Sequence, residues 1–312
     1  MQIWNSLADV PADLSGSAVT IGKYDAIHLG HQALLNDLVE TAEDQALTSV
    51  VVTFNRHPFE VLHPERVPLP IVGQHQKLYH LAEAGVDAVL NLEFDEALAS
   101  MNADEFVRQI LVDLLGAKVV MVGEGFRFGA GGSGDCEQLA QLAAKYQFKF
   151  KAIAPYEIDG QVISTSAIRN ALDAGDIMTA AKFLGRPHLT TGLVQHGLKI
   201  GRTIGFPTAN IDRNAEGYLP LDGVYAGWMF VDGQRLPTAI SIGINETFQA
   251  VPRLAEAFVL DHAGLDLYDK LVTLEYVAFV RPAAKFDGVE SLVAEINRDL
   301  VKIREILQLE AV

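Results

Sequence analysis

The sequence predicts an α/β domain on a parallel sheet, followed by a smaller antiparallel β domain that ends in a helix. Three observations carry this expectation. Up to about residue 153, short β-branched runs alternate with longer segments of helical period, the pattern of crossover units on a parallel sheet. Beyond Gly185-Arg186-Pro187 the pattern becomes strand-like, with turn pairs at Asp222-Gly223, Asp232-Gly233 and Ala263-Gly264, as in an antiparallel barrel or sandwich. Residues 289–307 then carry apolar side chains at helical spacing, which predicts an amphipathic helix packed on that second domain. A chain of 312 residues, 49% of them apolar, has enough material for two cores.

In the first half, strands are expected at 18–21, 49–54, 88–92, 118–122 and 148–153, and helices at 30–44, 74–84, 103–115 and 137–146. Asn102 with Glu105 three residues on forms a capping-box pattern, and Gly116 suits the left-handed residue that ends the same helix. A short helix at 177–184 is closed by Gly185 as a C-cap and stopped by Pro187, which sets the expected domains at 1–186 and 187–312.

Composition narrows the classes of partner. A formal net charge of −16 argues against nucleic acid and anionic membrane, whose binding needs basic patches. Cys136 is the single cysteine, so there is no intrachain disulfide and no thiolate-rich metal site, which fits a reducing cytoplasm. The first residues lack the basic and apolar regions of a signal peptide, and no segment approaches the roughly 20 apolar residues of a membrane span. A soluble cytoplasmic protein with small-molecule substrates is expected, and a weak homo-oligomer is left open.

Ligands of parallel α/β sheets bind beyond the carboxyl ends of the strands, so the loops there are the candidate sites. The first loop holds Gly22, Asp25, His28, Gly30 and His31, with two imidazoles three residues apart where a helix begins; helix N–H groups, macrodipole and both rings converge on one anion. The second holds Asn55, His57 and Pro58, and the third holds Gly125, Phe126 and Phe128. That third loop suits a flat ring, although its phenylalanines suit core plugs equally well, and the following Gly131-Gly132-Ser133-Gly134-Asp135 suggests a mobile flap. Hydroxyls of Ser164, Thr165 and Ser166 can cap the next helix, with Arg169 one turn in and suited to phosphate.

The second half concentrates its chemistry in 201–210. Gly201 and Gly205 let backbone N–H groups approach an anion closely, Pro207 fixes the chain before Thr208 and Asn210, and Lys199 and Arg202 add positive charge. This is a candidate phosphate and metal site, against the plainer reading of a glycine-containing loop between strands. Glu256, taken alone, reads as one polar residue on the outer face of a strand.

His28-Leu29-Gly30-His31 resembles the HxGH signature of nucleotidylyltransferases, and 164–169 resembles the Ser-Ser/Thr-x-x-Arg signature of the same superfamily. Together with 53–58, 126–129, 201–210, 222–227, 243–248, 256–261 and 285–287, these residues make the chain similar, from residue 17 onward, to the bacterial bifunctional riboflavin kinase/FMN adenylyltransferases, or FAD synthetases. The resemblance implies a Rossmann-like nucleotidylyltransferase domain followed by a riboflavin kinase barrel with a C-terminal helix. It further implies ATP, riboflavin and FMN as substrates and Mg²⁺ as cofactor. Thr208 and Asn210 would hold Mg²⁺ and phosphates, and Glu256 would take the proton of the ribityl 5′-hydroxyl as it attacks the γ-phosphorus. In the first module His28 and His31 would meet the phosphates of a second ATP while Ser164, Ser166 and Arg169 secure its tail.

Departures from the family pattern gather in the first module. Tyr24-Asp25-Ala26 replaces Phe-Asp-Gly, Asn55-Arg56 replaces Asp-Pro, and Gly125 stands where Asn or Asp is common. In the second module Asn245-Glu246-Thr247-Phe248-Gln249 and Leu267-Tyr268-Asp269 depart from Asn-Pro-Thr-Phe-Gly and Leu-Tyr-Gly. Two alternatives therefore stand beside the bifunctional enzyme: a riboflavin kinase with an impaired or altered adenylyltransferase module, and a non-catalytic flavin-binding regulator.

Overall fold

A computed structural model of the chain describes residues 1–196, 200–243, 253–262 and 264–310. It falls into two compact units. The first comprises Met1–Leu69 and Gln74–Ile163, the second Pro70–Gly73 and Ser164–Val312.

The first unit is built on a six-stranded sheet of β1 (Gln2–Trp4), β2 (Ser17–Ile21), β3 (Thr48–Phe54), β4 (Ala88–Leu92), β5 (Ala117–Gly123) and β6 (Lys149–Ile153), in the order β1-β4-β3-β2-β5-β6. Every neighbouring pair is parallel. The sheet is covered on both faces, and alternate strand residues divide between two cores. Val19, Val50, Val52, Leu90 and Val120 pack against Phe106, Ile110 and Leu139 on one side. Ala18, Val51, Val89 and Met121 pack against Leu35, Leu38 and Leu81 on the other.

The helices of this unit are α1 (Leu29–Asp44), the single-turn α2 (Phe59–Leu62), α3 (Gln74–Glu83), α4 (Glu96–Ser100), α5 (Ala103–Phe106) and α6 (Cys136–Tyr146). The expected helix at 103–115 starts on the anticipated capping box, but from Val107 to Leu114 it widens into a π-helix; the Leu115 N–H reaches the Ile110 carbonyl, five residues back, at 3.1 Å. Gly116 then takes φ +56°, the left-handed stop that its sequence position predicts. Strand β1 is absent from the expected elements because three residues carry no period, yet it pairs with β4 and buries Trp4. The expected flap is tied by a backbone bridge between Phe128 and Gly134, and Asp135 caps α6. A hairpin of β7 (Glu157–Ile158) and β8 (Gln161–Val162) follows the sheet.

The second unit closes as a barrel and not a sandwich. Strands β9 (His188–Gln195), β10 (Ala209–Ile211), β11 (Gly223–Val231), β12 (Gln234–Gly243), β13 (Leu254–Val259) and β14 (Leu271–Pro282) run antiparallel in the order β10-β13-β12-β11-β14-β9, with β9 and β10 paired to complete the ring. Asp232 (φ +50°) and Gly233 (φ +75°) form the expected two-residue turn between β11 and β12. Asp222-Gly223 is instead the start of β11, where a Cβ on Gly223 would come within 2.4 Å of the Arg281 carbonyl oxygen. The third expected turn is only partly described, because Ala263 lies outside the described residues.

Helix α10 (Val289–Leu307) matches its expected span and buries Ile303 and Leu307 against Ala226 and Leu260. Helices α7 (Thr165–Asp173) and α8 (Ile177–Leu184) also belong to the barrel unit, with the Leu221 N–H bonded to the Leu172 carbonyl at 2.9 Å. The division by contacts therefore falls between Ile163 and Ser164, where 186/187 is the expected boundary, and α8 packs on β9 and β14 of the barrel. Helix α9 (Ile200–Thr203) is a single turn before β10.

Candidate functional site

In the first unit the candidate groups gather where β2 and β3 end. The loop after β2 is held from below by the buried Tyr24, which adopts φ +51° and whose hydroxyl bonds Thr20 Oγ1 at 2.8 Å. Burial pushes the Tyr24 phenol pKa far above its usual value, so it stays neutral. His28 is the N-cap of α1, its Nδ1 accepting from the His31 N–H at 3.3 Å, and the two imidazoles stack with centroids 3.8 Å apart. Gly30 suits the position between them, since a Cβ there would crowd the His28 ring at 3.2 Å. A helix N-terminus flanked by two stacked imidazoles favours an anion. Gly22 lets the loop turn over the Tyr24 ring, 3.0 Å from where its Cβ would be. Asp25 is half-buried in the same loop.

The loop after β3 carries Asn55, whose Oδ1 accepts from the Phe94 N–H at 3.3 Å, and His57, whose Nδ1 accepts from the Phe59 N–H at 3.1 Å. Pro58 precedes α2. Of the third loop, Gly125 is exposed with open space around it, and Phe126 stacks on Phe128 at 5.5 Å. Phe128 itself is buried in the core against Phe106, as the plug reading expects.

Sequence reasoning passed over Lys77. It is 8% exposed, its ammonium donates to the Phe54 carbonyl at 2.8 Å, and burial lowers its pKa to about 8, a shift that the field of Asp25 opposes. Its position four residues before Leu81 on the inward face of α3 is the signal that helical period could have given.

In the second unit Ser164 caps α7 through its Oγ, which accepts from the Ala167 N–H at 3.1 Å; Thr165 and Ser166 follow in the first turn, and Arg169 stands one turn in. The stretch 201–210 folds more tightly than a plain loop. The Gly201 carbonyl accepts from the Phe206 N–H at 2.8 Å, a Cβ on Gly201 would lie 2.2 Å from the Phe206 oxygen, and Gly205 takes φ +90°. Thr208 Oγ1 donates to Glu256 Oε2 at 3.2 Å, and Asn210 is the register partner of Glu256 across β10 and β13. Thr208 and Asn210 thus meet a carboxylate that lies 48 residues beyond Thr208 in sequence. Lys199 and Asn245-Glu246-Thr247-Phe248-Gln249 lie outside the described residues.

Two cavities open at this place. One, of about 260 Å³, is walled by Ile240, Phe206 and Phe286 and includes Glu256. The other, of about 450 Å³, is walled by Arg202, Pro207, His262 and Tyr268. Thr208 lines both. In the wall of the first cavity, Arg281 forks onto the buried Asp299 of α10 at 2.8 to 3.0 Å.

A parallel α/β sheet with a histidine-flanked helix start, joined in one chain to a six-stranded barrel with a Thr-Glu-Asn cluster between two cavities, defines a two-module nucleotide-handling enzyme. Residues 10–167 match the FAD synthetase family and residues 184–307 the riboflavin kinase family. The chain is 37% identical to the bifunctional riboflavin kinase/FMN adenylyltransferase of Pseudomonas fluorescens, covering 97% of each chain. It is 35% identical to that of Escherichia coli K12 over 96% of this chain and 95% of the relative, and 33% identical to that of Haemophilus influenzae over 96% and 97%. The chain belongs to the bifunctional riboflavin kinase/FMN adenylyltransferase family. A solved structure described as a macrolide-efflux protein from Streptococcus pneumoniae shares the fold at a TM-score of 0.85 and 30% identity, covering 97% of this chain and 98% of its own. Among the described residues, no helix is long and apolar enough to cross a membrane.

Proposed function

We infer from both matched modules and from full-length relatives that the chain phosphorylates riboflavin to FMN and adenylylates FMN to FAD. Its substrates are the small molecules ATP, riboflavin and FMN. The observation that carries our reading of the kinase step is the Thr208–Glu256 contact at the junction of two cavities. The smaller, aromatic-walled cavity suits the flat isoalloxazine, and the larger, bordered by Arg202 and Pro207, suits ATP. Glu256 would accept the proton of the ribityl 5′-hydroxyl as that oxygen bonds to the γ-phosphorus and ADP leaves. Phosphoryl transfer depends mostly on such positioning and charge neutralisation.

Thr208 Oγ1, the Asn210 amide and the nearby carboxylate are hard oxygen donors of the kind Mg²⁺ prefers, so the site fits that ion. Bound there, Mg²⁺ would supply charge neutralisation at the phosphates. Arg202 and the backbone of Gly201 and Gly205, with Lys199, would hold the phosphate chain, and Pro207 would fix the turn beside it.

In the first module, His28, His31 and the N-terminus of α1 would receive the phosphates of a second ATP around Gly22, Asp25 and Gly30. Ser164, Thr165, Ser166 and Arg169 would hold the departing pyrophosphate. Asn55, His57, Pro58, Gly125 and Phe126 would seat FMN, with Phe128 supporting from the core. An ionised FMN phosphate needs no strong base to attack the α-phosphorus.

We further propose the functional modules as 1–186 and 187–312, a cytoplasmic location, no nucleic-acid or membrane partner, and at most weak self-association. The test is incubation with riboflavin, Mg²⁺ and ATP followed by separation of the flavins. FMN and then FAD are expected; FMN without FAD would overturn the bifunctional reading, and binding without conversion would favour a regulator.

A further inference from the structure

The anomaly in the first unit is a buried ammonium that packing does not need. Lys77 lies on the core-facing side of α3, where Leu81, one turn on, is fully buried. An apolar side chain there would fill the same space without the cost of desolvating a charge, which is large unless the charge is paired and put to use. Its hydrogen bond goes to the carbonyl of Phe54, the last residue of β3 and the base of the loop that holds Asn55, His57 and Pro58. The charge that acts on it is Asp25, in the loop that leads to His28 and His31. The loop after β2 is also tied to the end of β3, Thr53 Oγ1 donating to the Lys23 carbonyl at 3.3 Å. The loop after β3 is fastened on its far side by Arg56, whose Nε donates to the Phe94 carbonyl at 2.8 Å. Lys77 is therefore a buried charge that bonds the end of β3 and feels the carboxylate of the loop after β2, at the end of the sheet where the two anionic reactants would be brought together.

We propose that Lys77 is a positioning residue for adenylyl transfer: its ammonium, fixed on the Phe54 carbonyl and in the field of Asp25, sets the spacing of the loops after β2 and β3 and lends positive charge beneath the approaching FMN phosphate. This rests on reading those loops as the ATP and FMN loops. It explains why a lysine occupies a core position. It also places the cost of burying that lysine on the first reactants to benefit, since a loop displaced by about 1 Å costs on the order of 100-fold in rate.

The test compares wild type, Lys77→Met and Lys77→Gln in the full chain, following riboflavin phosphorylation, adenylylation of supplied FMN, and thermal melting. Lys77→Met is expected to melt at or above the wild-type temperature, to phosphorylate riboflavin within about twofold of wild type, and to lose about 10- to 100-fold in kcat/KM for FMN, with KM for FMN raised. Lys77→Gln keeps a donor for the Phe54 carbonyl and is expected to recover part of the loss. Full adenylylation by Lys77→Met would overturn the proposal. So would a loss of adenylylation that tracks a lowered melting temperature in both variants, since that is the behaviour of a structural strut. A wild type that makes no FAD from FMN would overturn the loop reading itself, whereas an active wild type with an equally active Lys77→Met overturns this proposal alone.

Discussion

The two nucleotide sites proposed for this chain would hold polyphosphate with different materials. The first would use the end of a parallel sheet, where a helix start and the His28–His31 stack gather on loops. The second would use the closed barrel, where Asn210 and Glu256 come from paired strands whose register fixes their spacing and Thr208 bonds Glu256. A site set by strand register tolerates loop divergence; a site set by loops depends on residues beneath them. The family departures follow this division, since Tyr24, Ala26, Asn55 and Gly125 all sit in first-unit loops.

The sharpest way to break the comparison is Glu256→Ala. Riboflavin phosphorylation should fall by about 10²- to 10⁴-fold, while FAD formation from supplied FMN is retained. Loss of both activities would show that the modules do not act separately. Next in size, His28→Ala should lower adenylylation by about 10²-fold and leave the kinase intact, combining a lost anion contact with a lost helix cap. Asp299→Ala removes the fork that holds the Arg281 guanidinium and leaves it the looser Glu295 contact at 3.7 Å, which should destabilise the barrel unit by about 2 kcal/mol, read as an earlier melting transition.

The last effect is confined to acid pH. His188 is buried on the Tyr218 carbonyl, and desolvation lowers its pKa from 6.5 to about 4. The unfolded chain therefore binds a proton between these values that the folded barrel does not. Stability contributed by the neutral ring is present above about pH 6.5 and is lost as pH falls towards 4, by at most about 3 kcal/mol. Melting His188→Gln alongside wild type from pH 7 to pH 4.5 should show the shallower acid slope in the variant.

Much of the architecture was legible in the sequence because apolar period and turn chemistry are local signals. The span of α10, the Gly116 and Gly185 stops, the Asn102 capping box and the Asp232-Gly233 turn all arise within a few residues. The π-helical stretch was not, since widening by one residue per turn leaves the apolar pattern of 107–114 nearly unchanged. Likewise the packing division at 163/164 depends on what α7 and α8 touch, and Pro187 marks only where a helix must stop. Of the sites, Gly30 and Gly201 are explained by contacts that would crowd a Cβ, whereas Glu256 acquires meaning only when β13 lies beside β10. Lys77 was hidden for the opposite reason, a polar letter within an amphipathic helix that reads as surface until its face is known.

Thr208 belongs to two cavities at once and shares its hydroxyl proton with Glu256. If the two substrates occupy the two cavities as proposed, a ligand in either that draws on that hydroxyl would change the partner available in the other and couple the two affinities. Whatever factor saturating nucleotide imposes on riboflavin binding, riboflavin must impose equally on the nucleotide.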